Sequence, residues 1–317
     1  MITIQRILCP TDLTPESDEA LRYAVALASA YKAKLFLLYC RDDRFKGDGD
    51  KASDIEMDAL FTSSLAPHLG LNDFCDLDWQ GVVADNVDDV GKAIVEVAEK
   101  QRVDFVVMRS RRRPHAAILL GSTAETVCRT AHCPVLVTHA REREWVGLST
   151  GEIDLKRILV AYDFSSDAEV ALNYALSLAQ EYQTELHLLH VLAKAEEEEP
   201  ERAWVQKSES AYTAAAGKLQ RAVPKEAFLW CPVTTAVRRG KVYQEILGYA
   251  KEHEIDLVCL GASGRDFSMG ALFGSNVDRV LRQATCPVLI SRPLRIAQSE
   301  AFVLPAVADR HAASKSQ

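Results

Sequence analysis

Apolar residues along this chain fall into two rhythms. Short runs such as LFLLYC, VDFVVM and RILVA are apolar at almost every position. Between them lie stretches in which apolar residues recur every three or four positions. The first kind suits a strand buried on both faces, the second a helix resting one face on a core. In the C-terminal half this predicts strands over 153–161 (IDLKRILVA), 185–191 (ELHLLHV), roughly 228–237, 255–261 (IDLVCLG) and 286–292 (CPVLISR). A helix is predicted over Ser166–Tyr182, where Val170, Leu172, Ala175, Leu176, Leu178 and Ala179 keep helical spacing and Ser166 and Asp167 are candidate caps. Further helices contain Trp204, Tyr212 and Leu219, span 241–253, and open after Gly274. Strands alternating with helices imply a parallel sheet covered on both faces, doubly wound because the crossovers are right-handed.

The same pattern occurs twice. RILCPTDLTPESDEALRYAVALA, from Arg6, aligns without gaps on RILVAYDFSSDAEVALNYALSLA, from Arg157, so Asp12 falls on Asp163. AKLFLLYC matches TELHLLHV, VDFVVM matches IDLVCL, and AHCPVLVTHA matches ATCPVLISRP. A unit this long is a duplicated domain rather than a solenoid repeat. The expected division is a domain over 1–140, a linker over 141–153, a second domain over 154–297, and an Ala/Ser-rich tail over 298–317 that is predicted to be disordered.

Composition narrows the function classes. The 317 residues are 48% hydrophobic, enough for a real core, and carry a net charge of −8. That balance argues against broad binding to nucleic acid or to an anionic membrane. None of the eight cysteines forms a CxxC pair, and no Cys/His spacing suits zinc, so they read as buried thiols of a reducing cytoplasm. The first residues, MITIQRILCPTDL, lack a signal-peptide pattern, and no apolar run reaches the ~18 residues of a membrane span. The expected location is the cytoplasm.

In an open parallel sheet, ligands sit beyond the carboxyl ends of the strands. In the second repeat these ends carry Ala161 and Asp163, then Val191, then Gly261. The loop after strand four reads Gly261-Ala-Ser-Gly264, nine residues, then Gly274-Ser275-Asn276. Gly261 and Gly264 remove side chains where backbone must approach a ligand or take a positive φ. Gly274-Ser275-Asn276 opens a helix, whose free N–H groups and dipole suit an anion. Asp163 is placed to accept hydrogen bonds from ribose hydroxyls or an adenine amine. Taken singly, each glycine also suits a turn, and Ser275 and Asp163 also suit helix caps; together they favour a nucleotide.

This spacing of glycines, with the first-strand aspartate and the final CPVLI strand, resembles the nucleotide-binding signature of the universal stress protein family. The resemblance covers nearly the whole chain, as two copies. It implies α/β domains with five-stranded parallel sheets in order 3-2-1-4-5, and ATP or AMP in the crevice, with Mg2+ as a candidate companion. Adenine would lie near Ala161, Asp163 and Val191, ribose near Gly261 and Gly264, and phosphates on Gly274, Ser275 and Asn276. It also implies a pseudo-dimer joined through the last strands, which would otherwise be exposed edges; further homodimerisation stays open. The first repeat departs from the signature. It keeps Asp12 and Gly121-Ser122, but Arg109 and Arg112 stand where Gly261 and Gly264 would be, and the loop is one residue shorter. The arginines should obstruct adenosine. They read as a solvated basic loop, with a site for a different anionic ligand, or a charge plug in place of phosphate, as the alternatives.

Other chemistry finds little support. Gly217-Lys218 and Gly240-Lys241 lack the upstream glycine of a P-loop, and no GxSxG elbow occurs. His190 reads as a packed strand-end histidine, and Glu196–Glu199 as a solvated helix entry. With no coupled nucleophile and base, no catalytic or metal-ligating residue is assigned. The reading is a nucleotide-binding stress-response or regulatory protein; the alternatives are a slow ATPase and a scaffold that binds no nucleotide. A Gly261→Arg change, copying the first repeat, is expected to abolish binding while leaving the fold intact.

Overall fold

The computed structural model describes residues 2–41, 54–69, 77–85, 87–110, 122–139, 143–147, 150–193, 201–263 and 274–292. The tail over 298–317, Gly264, Arg112 and Gly121 lie outside the described residues. In chain order the first half comprises β1 (Arg6–Pro10), α1 (Asp18–Tyr31), β2 (Lys34–Cys40), α2 (Asp54–Leu65), β3 (Trp79–Ala84), α3 (Val90–Lys100), β4 (Phe105–Arg109), α4 (Ser122–Thr130) and β5 (Val135–Thr138). The second comprises β6 (Arg157–Ala161), α5 (Ser166–Tyr182), β7 (Glu185–Ala193), α6 (Glu201–Ala222), β8 (Val233–Gly240), α7 (Val242–Glu252), β9 (Leu257–Gly261), α8 (Ser275–Gln283) and β10 (Val288–Ser291).

Each half is a parallel sheet in the order 3-2-1-4-5, and the two form one ten-stranded sheet, β3-β2-β1-β4-β5-β10-β9-β6-β7-β8. The join is antiparallel, with Val137 opposite Val288 and Val135 opposite Ile290. Both joining strands are buried throughout. Pairing the two apolar edges removes the liability that each would present alone.

Strand residues alternate between two cores. Ile7, Cys9, Ile158 and Val160 face one, with α1 and α5; Leu8 and Leu159 face the other, with α3, α4, α7 and α8. Each core runs through both halves, so the repeats share their interior. Burial holds the Cys9 and Cys128 thiols protonated, pushed up to about 12.

Equivalent polar residues fix equivalent strands. Asp104 accepts the N–H groups of Gln5 and Arg6 at 2.9 and 3.1 Å. Asp256, 3% exposed, does the same for Lys156 and Arg157 at 3.0 and 2.9 Å. With those amides taken by a carboxylate, the strand predicted from residue 153 begins only at Arg157. Part of the predicted linker makes contacts of its own. Within 141–153, Arg143 pairs with Asp256, Glu144 with Arg22 at 2.9 Å, and Trp145, 2% exposed, packs edge-on against Tyr23. Arg143, Glu144 and Trp145 are thereby anchored to the rest of the fold, with Trp145 and Val146 in the core. The strand expected at 228–237 is displaced to Val233–Gly240, because Lys225–Leu229 forms a 3-10 turn after Pro224. β7 runs two residues beyond the expected end, to Ala193.

Candidate functional site

A crevice of about 690 Å³ opens beyond the carboxyl ends of β6, β7 and β9. Its walls bring together Ala161, Asp163, Val191, Gly261, Gly274, Ser275 and Asn276. The remaining expected residue, Gly264, is outside the described residues. The position follows from topology: the connections from β6 and β9 leave on opposite faces of the sheet, and the gap between them is a switch point.

The two described glycines differ in what surrounds them. A Cβ on Gly261 would lie 2.7 Å from the backbone of Asp167 and Ala168. The first turn of α5 therefore rests directly on the end of β9, and the fold itself demands glycine there. A Cβ on Gly274 would meet nothing closer than Val277 at 3.6 Å, and Gly274 has φ −55°. Among the described residues, neither space nor conformation requires glycine at that position. Gly274 is the N-cap of α8 and has no side chain to satisfy the first-turn amides of Ser275, Asn276 and Val277, which lie at the crevice wall.

Asp163 is engaged within the chain. Its Oδ1 accepts the backbone N–H of Ser165 at 3.0 Å and its hydroxyl at 2.5 Å. Asp12 makes the same turn with Thr14, at 3.2 and 2.5 Å. The following residues, Phe164 and Leu13, take left-handed φ values of 65° and 58°. Both repeats thus hold the aspartate in one preset geometry, at a cost of roughly 1–2 kcal/mol for each left-handed residue. Ser165, rather than the expected Ser166 or Asp167, caps α5 by accepting the N–H of Ala168 at 3.2 Å. Asp167 instead accepts the N–H of Ser263 at 2.9 Å, across the crevice floor.

His190, also at the wall, donates from Nδ1 to the Tyr162 carbonyl at 2.7 Å and lies 4.7 Å from the Phe164 ring. Burial raises the Tyr162 phenol above its ordinary range, and Glu169 and Asp163 add to the effect. The apolar wall formed by Val242 and Ile246 of α7 was not foreseen. Helical periodicity marked these residues only as core-facing.

The first repeat is built differently at this point. Arg109 occupies the strand-end position of Gly261, opposite Thr138 as Gly261 is opposite Ser291. Its guanidinium pairs with Glu19 of α1 at 3.4 Å, and both side chains are largely buried. For Arg109, the expectation of a solvated loop is therefore overturned. α1 begins at Asp18, whereas Pro15 is the counterpart of Ser166, where α5 begins. Arg109 brings the Cβ that Gly261 lacks, and the first helical turn above it is absent. Arg112 and the rest of that loop lie outside the described residues.

The model of the universal stress protein family matches the chain at residues 3–139 and again at 154–292. The chain belongs to the universal stress protein family. A universal stress protein of Mycolicibacterium smegmatis is 25% identical over 308 residues, 90% of this chain and 97% of the relative. One from Methanocaldococcus jannaschii is 30% identical over 152 residues, covering 44% of this chain and 85% of that one. Among solved structures, a functionally unknown protein from Pseudomonas aeruginosa superposes with TM-score 0.68 at 17% identity, covering 92% of this chain and 93% of that one. A universal stress protein from Archaeoglobus fulgidus gives TM-score 0.59 at 22% identity, covering 92% and 97%. These structural likenesses speak for the fold. With two family matches, the duplication in the sequence is a tandem of universal stress protein units. Among the described residues no helix is long and apolar enough to cross a membrane.

Proposed function

We propose that the second repeat binds an adenine nucleotide, ATP or AMP, and that the protein is a cytoplasmic stress-response or regulatory factor. The observation that carries this reading is Gly274. Among the described residues nothing crowds that position, and as an N-cap without a side chain it leaves the first-turn α8 amides at the crevice wall in need of an acceptor. An anion drawn to those amides and to the helix dipole supplies the need. Adenine is assigned to the end near Ala161, Asp163 and Val191, ribose to Gly261 and Gly264, and phosphates to Gly274, Ser275 and Asn276. Magnesium would be held chiefly through the phosphates, since among the described residues no three His, Cys, Asp or Glu side chains converge.

Binding rather than turnover is favoured because the crevice side chains best suited to activate water, Asp163 and His190, are engaged with Ser165 and the Tyr162 carbonyl. The first repeat is assigned no nucleotide, since Arg109 fills its strand end. The β5–β10 pairing supports reading the chain as a pseudo-dimer of its own two domains, over 1–140 and 154–297.

Calorimetric titration of the nucleotide-stripped chain with ATP and magnesium tests the reading. Saturation near one site per chain is expected, with binding lost in Gly274→Asp. No heat of binding in the wild-type chain would leave a scaffold that takes no nucleotide.

A further inference from the structure

Asp167 sits in the first turn of α5, where a carboxylate is ordinarily explained by the helix dipole. Its surroundings here ask for more. The cap of α5 is already supplied by Ser165. Asp167 reaches across 96 residues of sequence to accept the N–H of Ser263 through Oδ2 at 2.9 Å. Ser263 lines the crevice and is the last described residue before the glycine loop. The approach is possible because Gly261 has no side chain: Asp167 Cβ lies 2.7 Å from where a Gly261 Cβ would stand. The Asp167 carbonyl is tied to the neighbouring strand as well, accepting from the Ser291 hydroxyl at 3.4 Å. The first repeat shows the alternative. There Arg109 replaces the glycine, Glu16 stands at the Asp167 position, and the helix starts only at Asp18.

We propose that Asp167 is a positioning residue of the crevice, a latch whose carboxylate holds the Gly261–Ser263 turn in place for its ligand. Gly261 and Asp167 form one device: the glycine admits the helix turn, and the aspartate grips the loop that the turn overlies. A turn held in this way before binding acts on affinity without touching the ligand. This inference rests on the reading of the crevice as a nucleotide site.

The experiment uses the full chain, with Asp167→Ala and Asp167→Asn variants. Asparagine keeps an acceptor oxygen and removes the charge. Two quantities are read: exchange of the Ser263 amide hydrogen without nucleotide, and ATP affinity by calorimetry. Asp167→Ala should speed Ser263 exchange and weaken ATP binding by about tenfold each, as befits loss of a hydrogen bond to a charged group. Asp167→Asn should stay within about threefold of wild type in both, because the bond survives. Should Asp167→Ala fail to fold, Asp167→Glu, which displaces the carboxylate by one methylene, replaces it with the same expectations. Unchanged Ser263 exchange in Asp167→Ala overturns the latch. Faster exchange with unchanged affinity overturns its role in positioning. Equal loss in Asp167→Asn assigns the effect to charge and also overturns it. If wild type binds no ATP, the nucleotide reading has failed, and the exchange data still decide the latch by themselves.

Discussion

A methyl group on Gly261 would lie 2.7 Å from backbone that cannot rotate away, whereas one on Gly274 would find ordinary contact distances. The two alanine variants should therefore separate fold from site. Gly261→Ala is expected to lower stability by about 1–3 kcal/mol, the usual range for overpacking. Gly274→Ala should cost no more than about 1 kcal/mol, the difference between glycine and alanine at a helix N-cap. Urea denaturation with a common slope checks both. The same contact revises the expectation for Gly261→Arg: that change must displace the first turn of α5, so it disturbs the fold as well as the crevice. At this scale the sequence identified the glycines and Asp163 but not their reasons. A glycine looks alike in the sequence whatever stands against it, and only the tertiary contacts show that a helix stands against Gly261.

Packing of α7 against β7 carries a pH dependence. His187, on β7 and 3% exposed, bonds through Nδ1 to the Tyr249 hydroxyl at 2.9 Å, and the His253 ring stacks on Tyr249 with centroids 4.1 Å apart. Burial lowers the His187 pKa below the ordinary histidine value; Glu185, 3.2 Å from Nε2, opposes this, while His253 and Arg157 reinforce it. The unfolded chain therefore takes up a proton before the folded one does. Stability from this group is complete above about pH 6.5 and falls as pH drops below it toward the depressed folded value. Denaturation midpoints at pH 7.5 and 5.5 should differ, and His187→Gln should narrow the difference. The elements themselves were largely legible: α5 matches its predicted span, because its apolar spacing and polar entry agree. The third strand of the second repeat was misplaced by several residues. A run with few apolar residues leaves periodicity little to hold, and the turn after Pro224 was not anticipated.

At the scale of the molecule, the described residues form one sheet and two cores, each shared by both repeats. Scanning calorimetry is expected to show a single cooperative transition, since neither half buries its joining strand alone. Two separated transitions would mean that the β5–β10 join is energetically weak. Trp145, set between the repeats against Tyr23, should be a point of high sensitivity. Trp145→Ala is expected to cost about 3–5 kcal/mol, measured by chemical denaturation. The sequence placed this segment in a linker because its charges and lack of period carry no packing signal.

Strand and helix periodicity, doubled along the chain, determined by itself the α/β class and the duplication, and the glycine spacing with the first-strand aspartate carried the family resemblance. Each of these depends on patterns within a few tens of residues. The glycine spacing likewise marked where a crevice would form, since topology alone brings strand ends together. Tertiary structure decided which contacts fill that crevice. It showed that α5 rests on Gly261, that Asp167 accepts from Ser263, that Arg109 turns inward to Glu19, and that Trp145 packs into the core. Each of these joins residues far apart in sequence, and such pairings follow from the packing of whole helices onto the sheet rather than from any local pattern.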